Sequence, residues 1–193
     1  MKRITLHDKK FKPFISTPNI EWSIKNMAAN LNNIFKHTKE PIVFVAVLNG
    51  AVPYASSLFT KLKFPVLFDT VKVSSYNGTE RGELVFEKKP SVDFVGKKVI
   101  LVEDIIDTGY TIDYLRSYFE CEGAKEVFVS ALLIKPDVYT KRHPEFSLWA
   151  HISGQNDDNM YVCMSIGDAF VVGFGLDYDG LGRNLNKIYV LES

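Results

Sequence analysis

An unbroken run of seven apolar residues, Ile42 to Leu48, constrains the fold of this chain more than any other feature. The run ends at Asn49-Gly50, and apolar residues then recur at helical spacing from Val52 to Leu62. A strand that is apolar on both sides and leads into a helix is typical of a parallel sheet covered on both faces. The run is too short to cross a membrane as a helix, which takes about 20 apolar residues.

The same alternation of strand and helix recurs along the chain. Strands are predicted over Pro65–Ser75, Lys98–Val102 and Val127–Ile134, and helices over Ile20–Phe35 and from about Thr111 to Glu122. This order predicts an α/β fold with a doubly wound, mostly parallel sheet. The length of 193 residues suits a single domain.

Charge and cysteine content narrow the classes of partner. The chain has 23 basic and 23 acidic side chains, whereas binding to a nucleic acid backbone usually needs a basic excess. We therefore expect no nucleic acid partner and no membrane partner. The two cysteines, Cys121 and Cys163, show no metal-binding spacing, which favours free thiols in a reducing cytoplasm. His143 and His151 fit no metal pattern either, and we expect solvated loop residues there.

The segment Val99–Thr111 carries the most chemical information. It places Glu103 and Asp104 at the end of a buried strand, the edge where doubly wound sheets bind their ligands. Residues 107–111 then open a helix, and the free N–H groups of a helix N-terminus favour phosphate. Because carboxylates repel phosphate, we expect the acidic pair to accept hydrogen bonds from sugar hydroxyls or to help bind Mg²⁺.

This order of strand, acidic pair, two apolar residues and Asp-Thr-Gly-x-Thr resembles the ribose 5-phosphate motif of the type I phosphoribosyltransferases. The resemblance implies that Glu103 and Asp104 hold the ribose 2′- and 3′-hydroxyls of phosphoribosyl pyrophosphate (PRPP) and contribute to a metal site. It also implies that the 5′-phosphate is wrapped by Asp107, Thr108, Gly109, Tyr110 and Thr111. In purine-specific members the aspartate at the position of Asp107 faces N7 of the base, which implies a general acid/base role. An acidic loop of the receiver-domain type is the alternative, although its phospho-acceptor is expected on a different strand.

Two further segments are similar to hypoxanthine-guanine phosphoribosyltransferases. Asn49 and Gly50 follow the first core strand, where that family has its pyrophosphate loop. Many members carry a basic residue at the position of Asn49, so backbone N–H groups are expected to contribute more here. Ser74, Ser75 and Tyr76 begin a polar excursion that resembles the family's flexible catalytic loop, at about 74–90. Composition alone equally allows a plain hairpin extension.

The base site is implied by the C-terminal half of the chain. Lys135 resembles the family's purine-reading lysine, and an ammonium donates to the O6 acceptor of a 6-oxopurine but not to the amino group of adenine. Phe170 would stack on the purine, and the backbone of Val171 would read the base edge. Asp177 would lie beside the purine and help hold Mg²⁺. Arg183 would reach pyrophosphate, although Gly182 stands before it where the family usually has an aromatic residue.

The resemblance extends from about Ile4 to Val190 and implies one type I phosphoribosyltransferase domain over 1–193. Its core is expected at about 38–136, with a small hood from the N- and C-terminal segments, at about 1–15 and 137–193. The segment 143–164 is longer than in typical bacterial members, and an extended hairpin near the base site is predicted over Trp149–Asn159. Family members imply a homodimer or a homotetramer.

The function implied is purine salvage. A Mg²⁺-dependent transferase would move ribose 5-phosphate from PRPP to N9 of hypoxanthine, with guanine as a further candidate. The products would be IMP or GMP and pyrophosphate. Two alternatives stay open: a xanthine/guanine phosphoribosyltransferase, and a non-catalytic regulator of the same fold that senses PRPP. The chain shows no helix-turn-helix extension and no basic excess that would favour the regulator.

Overall fold

The computed structural model describes residues 2–75, 84–148, 151 and 159–192. Its elements in chain order are β1 (Ile4–Leu6), β2 (Lys9–Ile15), α1 (Thr17–Ile34), β3 (Ile42–Val47), α2 (Val52–Phe59), β4 (Val66–Ser75), β5 (Leu84–Lys88), β6 (Lys98–Ile106), α3 (Tyr110–Cys121), β7 (Glu126–Ile134), α4 (Pro136–Tyr139), β8 (Met160–Ser165), β9 (Val171–Val172) and β10 (Ile188–Leu191).

The larger sheet has six strands among the described residues, in the order β5-β4-β3-β6-β7-β8. β3 pairs in parallel with both β4 and β6, and β7 and β8 continue the parallel arrangement. The α/β class and the mostly parallel sheet predicted from the sequence are therefore confirmed. The chain leaves β3 for β4 on one side and returns to β6 on the other, so the carboxyl ends of β3 and β6 form a topological switch point.

The helices cover both faces of this sheet. Apolar side chains of α1 and α2 pack with Phe44 and Ile100 on one face. Those of α3 pack with Val45 and Leu101 on the other. All six residues of β3 are buried, as expected for a strand covered on both faces. Within the described residues, no helix combines the length and the apolar character needed to cross a membrane. Cys121 and Cys163 are free thiols.

A smaller antiparallel sheet joins the two ends of the chain. Its strands lie in the order β1-β2-β10-β9, and Phe11, Val172 and Tyr189 form its own apolar cluster. It corresponds to the hood expected from the terminal segments. β8 lies inside the range 137–193 predicted for the hood, but it pairs with β7 in the larger sheet. The C-terminal strands of the small sheet therefore come from residues 171–191.

The polar excursion after β4 returns as β5, which is antiparallel to β4. A buried aspartate on β4, Asp69, anchors that return by accepting the N–H groups of Ser91 at 2.6 Å and Val92 at 2.8 Å. Burial alone would raise the pKa of Asp69, but these backbone bonds outweigh it and hold the pKa below its usual value. Tyr76 and residues 77–83 lie outside the described residues. So do 149, 150 and 152–158, and with them most of the hairpin predicted there.

Candidate active site

Several of the predicted site residues lie together at the carboxyl edge of the larger sheet. The loop of residues 48–51 follows β3, the acidic pair and residues 107–111 stand at the end of β6, and Lys135 follows β7. These three strands are neighbours. Parallel strands bring their carboxyl ends to one edge, so segments far apart in sequence meet there.

The acidic pair lies within β6, which continues to Ile106 rather than ending at Val102 as predicted. Glu103 and Asp104 are each 8% exposed. Burial, and next the charge of Asp104, raises the pKa of Glu103 well above its usual range. Burial also raises the pKa of Asp104. Among the described atoms Oε2 of Glu103 has no hydrogen-bond partner, and a buried acceptor of this kind suits a hydroxyl donor or a divalent cation.

Gly50 lets three segments approach one another. A Cβ at Gly50 would overlap the carboxylate of Asp104. A Cβ at Gly175, which has a φ of 104°, would overlap the carbonyl oxygen of Gly50. Both positions therefore need glycine, because any side chain would separate the loop after β3 from the acidic pair or from the C-terminal loop. The peptide between Leu48 and Asn49 is cis.

Arg183 completes this side of the site. Its Nη1 donates to the carbonyl oxygen of Gly175 at 2.8 Å, and its Nη2 lies 2.8 Å from Oδ1 of Asp177. The charge of Arg183 is near enough to Asp104 to oppose the rise in the pKa of that carboxyl group. The structure thus places Arg183, whose preceding residue departs from the family pattern, next to Asp177 and near Asp104.

Lys135 connects the loop after β6 with the segment that follows β8. Its side chain is 10% exposed, and its Nζ lies 3.0 Å from Asp107 Oδ2 and 3.3 Å from Asp168 Oδ1. Its backbone N–H donates to the carbonyl oxygen of Ile106 at 2.9 Å. The ammonium is therefore fixed next to the carboxylate that the sequence identifies as the acid/base candidate.

Residues 107–111 form the turn into α3. Gly109 has a φ of 83°, and a Cβ there would overlap the ring of Tyr139. The left-handed turn and the close approach of that ring both require glycine. Asp107, Thr108 and Tyr110 are exposed, so the loop is open to a ligand at the N-terminus of α3, where the helix dipole favours an anion.

Phe170 and Val171 lie where the chain enters the small sheet. Phe170 is 43% exposed, and its ring contacts Phe11 and Tyr178 with centroids 6.3 Å and 5.8 Å away. Val171 is buried in β9, paired with Val190. An exposed aromatic face held by two other rings can stack on a planar ligand.

Two of the predicted residues whose side chains are described, Asn49 and Ser74, make no described side-chain contact with this cluster. Asn49 is exposed and has no side-chain hydrogen bond among the described residues. Ser74 lies on β4, where its side chain bonds Glu87 of β5. Ser75 pairs through its backbone with Leu84, and Tyr76 lies outside the described residues.

The two loop histidines differ from the prediction. His151 is 6% exposed, and its Nδ1 lies 2.6 Å from the carbonyl oxygen of Ser147. His143 is half-buried, with Nε2 3.1 Å from Oδ2 of Asp113. The expectation of solvated residues was wrong, because the segment after α4 packs against α3 instead of projecting into solvent.

Sequence reasoning missed Asp168 and Gly175. Asp168 lies two residues before Phe170, and Gly175 lies two residues before Asp177. Their positions inside a recognised motif were a signal, but their contacts depend on segments that are distant in sequence.

Comparison with known proteins identifies relatives over almost the whole chain. Residues 15–179 match the model of the phosphoribosyl transferase domain family. The chain is 36% identical over 183 residues to a hypoxanthine-guanine phosphoribosyltransferase of Streptococcus agalactiae, covering 94% of this chain and 93% of the relative. A solved hypoxanthine-guanine phosphoribosyltransferase of Bacillus anthracis, with a HEPES molecule in its active site, shares 31% identity at a TM-score of 0.79 over 94% of this chain and 98% of that one. A hypoxanthine phosphoribosyltransferase of Trypanosoma cruzi, solved in complex with the product IMP, shares 28% identity at a TM-score of 0.81, with 98% and 97% covered.

Proposed function

The chain belongs to the phosphoribosyltransferase family, and from that premise we infer that it is a purine salvage enzyme. It transfers ribose 5-phosphate from PRPP to N9 of hypoxanthine or guanine and releases pyrophosphate, giving IMP or GMP. Relatives named hypoxanthine-guanine phosphoribosyltransferase match at 32–36% identity over most of the chain, which supports this assignment.

One observation carries the proposal: Lys135 stands 3.0 Å from Asp107, at the sheet edge that holds the acidic pair. The ammonium is nearly buried and held by two carboxylates. It presents donors only, so it selects a base with an oxygen at C6 and disfavours adenine, which has an amino group there. Phe170 offers an exposed ring on which a purine can stack, which supports a purine as the substrate without selecting among purines.

The proton chemistry falls to Asp107. As N9 forms its bond to C1′ and the bond from C1′ to pyrophosphate breaks, the base loses the proton on N7. We assign Asp107 to receive that proton, because its carboxylate lies next to the lysine that orients the ring. In the reverse direction Asp107 returns the proton to N7, and Lys135 orients the purine ring in the same way.

The sugar and its leaving group are held on the other side of the site. Glu103 and Asp104 accept hydrogen bonds from the ribose hydroxyls, and residues 107–111 bind the 5′-phosphate at the N-terminus of α3. The backbone at Asn49 and Gly50, together with Arg183, faces the pyrophosphate. Fixing both substrates in line lowers the barrier of a reaction whose transition state resembles an oxocarbenium ion.

Family members generally use Mg²⁺ with PRPP, and the residues present fit such an ion. The described residues include no group of three or more side chains that would hold a metal by themselves. This suits Mg²⁺, which commonly binds one or two carboxylates and completes its shell with substrate oxygens and water. We propose that such carboxylates come from Asp177 on one side of the site and from the pair Glu103 and Asp104 on the other, and that an ion held there would neutralise charge on pyrophosphate.

The test is a panel of free bases with PRPP and Mg²⁺, scored by release of pyrophosphate. Hypoxanthine and guanine are expected to react, and adenine is not. Release with xanthine in preference to both would favour a xanthine/guanine enzyme. Binding of PRPP with no pyrophosphate release on any base would instead favour a regulator. The cytoplasmic location, the absence of nucleic acid and membrane partners, and the homodimer or homotetramer stay predictions.

A further inference from the structure

The loop that the proposed function gives to the 5′-phosphate has an unusual neighbour. Asp113 lies in the first turn of α3, only two residues after Thr111. A carboxylate in a first helical turn stabilises the helix through its dipole. The same negative charge opposes a phosphate dianion bound at that N-terminus, because like charges a few ångströms apart repel strongly outside bulk water.

Two side chains from the segment after α4, Arg142 and His143, contact the carboxylate of Asp113. Nη2 of Arg142 lies 3.2 Å from Oδ2 of Asp113, and Nε2 of His143 lies 3.1 Å from the same oxygen. Arg142 and Asp113 are 42% and 32% exposed in their side chains. The ion pair between Arg142 and Asp113 is therefore partly shielded from solvent, and salt screens its charges less than those of a fully exposed ion pair.

The same segment contacts the phosphate loop directly. Nη1 of Arg142 donates to the carbonyl oxygen of Thr108 at 3.4 Å, and its guanidinium carbon lies 5.3 Å from the ring centre of Tyr110. Tyr139 stacks on His143 with ring centroids 4.2 Å apart and planes 13° apart. That tyrosine ring lies where a Cβ of Gly109 would be. Arg142 therefore contacts both flanks of Gly109.

We propose that Arg142 is a positioning residue for PRPP: it neutralises Asp113, so that the loop at the N-terminus of α3 accepts the 5′-phosphate. This rests on the proposed function of that loop. Arg142 does not contact the reacting atoms. Its effect is electrostatic and is passed through Asp113, with the contact to Thr108 holding the guanidinium in place.

Two variants of the ion pair between Arg142 and Asp113 test the proposal, with pyrophosphate release as the assay. R142M keeps an unbranched apolar side chain against Tyr110 but removes the charge. We expect it to raise the KM for PRPP about fivefold, the order that one partly exposed ion pair supplies. The KM for hypoxanthine and kcat should stay as in the unmodified enzyme. K141M is the matched control, because it removes the same charge from an exposed neighbour and should leave the KM for PRPP unchanged.

The decisive variant is R142M combined with D113N. If Arg142 acts by neutralising Asp113, the two substitutions are coupled. Removing both charges then restores the KM for PRPP to within about twofold of the unmodified value, because no unpaired carboxylate is left. The effect of R142M should also shrink in high salt. A KM for PRPP that R142M leaves unchanged would overturn the proposal, as would a double variant as impaired as R142M. Failure of the unmodified protein to release pyrophosphate with any base would contradict the proposed function instead.

Discussion

Replacing Gly50 by alanine tests whether the loop after β3 and the acidic pair form one unit. The new Cβ would occupy the position of Asp104 Oδ2, so the carboxylate has to move by more than an ångström. It cannot move freely, because Oδ1 accepts the N–H of Ile105 at 2.9 Å and the group is 8% exposed. A displacement of about 1 Å in a positioned group can cost on the order of 100-fold in rate. Crowding a packed site typically costs about 1–3 kcal/mol of unfolding free energy.

We therefore expect G50A to lower kcat/KM for PRPP by about 100-fold and to leave the KM for hypoxanthine within about twofold. Steady-state release of pyrophosphate measures both parameters, and thermal unfolding measures the loss of stability. G167A is the matched control, because a Cβ at Gly167 has no heavy atom within 4 Å. Unmodified values for G50A in both measurements would show that Asp104 does not sit against this loop, and would refute the proposed arrangement of the site.

Other outcomes can be measured on the same protein. D107N should lower kcat by about 10²–10⁴-fold, the usual contribution of a positioned acid/base, and a kcat near the unmodified value would contradict that role. K135M should raise the KM for hypoxanthine by about 10- to 100-fold, since a hydrogen bond from a charged donor is lost; an unchanged KM would exclude Lys135 from the base site. Activity should disappear in excess EDTA and return with Mg²⁺, whereas full turnover in EDTA would contradict the metal requirement. Because burial raises the pKa of Glu103, the stability linked to this group is fully present below its unfolded pKa of about 4.3 and is lost as pH rises through the higher folded value. Binding of PRPP with Mg²⁺ should favour the charged form of Glu103 and lower this raised pKa. Proton release on binding, measured by calorimetry in buffers of different ionisation enthalpy, should therefore grow as the pH falls, and E103Q should remove that pH dependence.

The parts of the fold that could be predicted from the sequence are those with a local signal. β3 is a run of apolar residues that stays buried from Ile42 to Val47. The stripe on α1 repeats at helical spacing and is buried at Ile20, Ile24 and Leu31. In each case burial on a fixed period is visible within one segment, so no knowledge of the partner is needed.

The small sheet carried no such signal. β2 pairs with β10 through contacts such as Phe11 with Leu191, which join opposite ends of the chain. β9 has two residues and β1 has three, so neither is long enough to show a period. The end of β6 was misjudged for a different reason. Two adjacent carboxylates are rare inside a buried strand, and a functional site is where such a departure from the usual pattern is expected.

The site itself shows the same division. Asp107 and Gly109 lie within a contiguous motif, so the family resemblance alone could propose them as site residues. The contacts that the site makes with residues distant in sequence could not be predicted. Asp168 reaches Lys135 from 33 residues away and Arg142 reaches Thr108 from 34 residues away. A charged residue in a loop looks like solvated surface until the fold supplies its partner.

For the proposed function, the charges at the site give a reason why a divalent ion would take part in binding PRPP. At the site, each of three cations already faces a carboxylate: Lys135 faces Asp107, Arg183 faces Asp177, and Arg142 faces Asp113. PRPP brings several phosphate charges to an edge that also carries Glu103 and Asp104. Cations committed to carboxylates cannot neutralise that charge in full, so positive charge has to enter with the substrate. Under the proposed function, the acidic edge should therefore bind PRPP as its Mg²⁺ complex in preference to free PRPP.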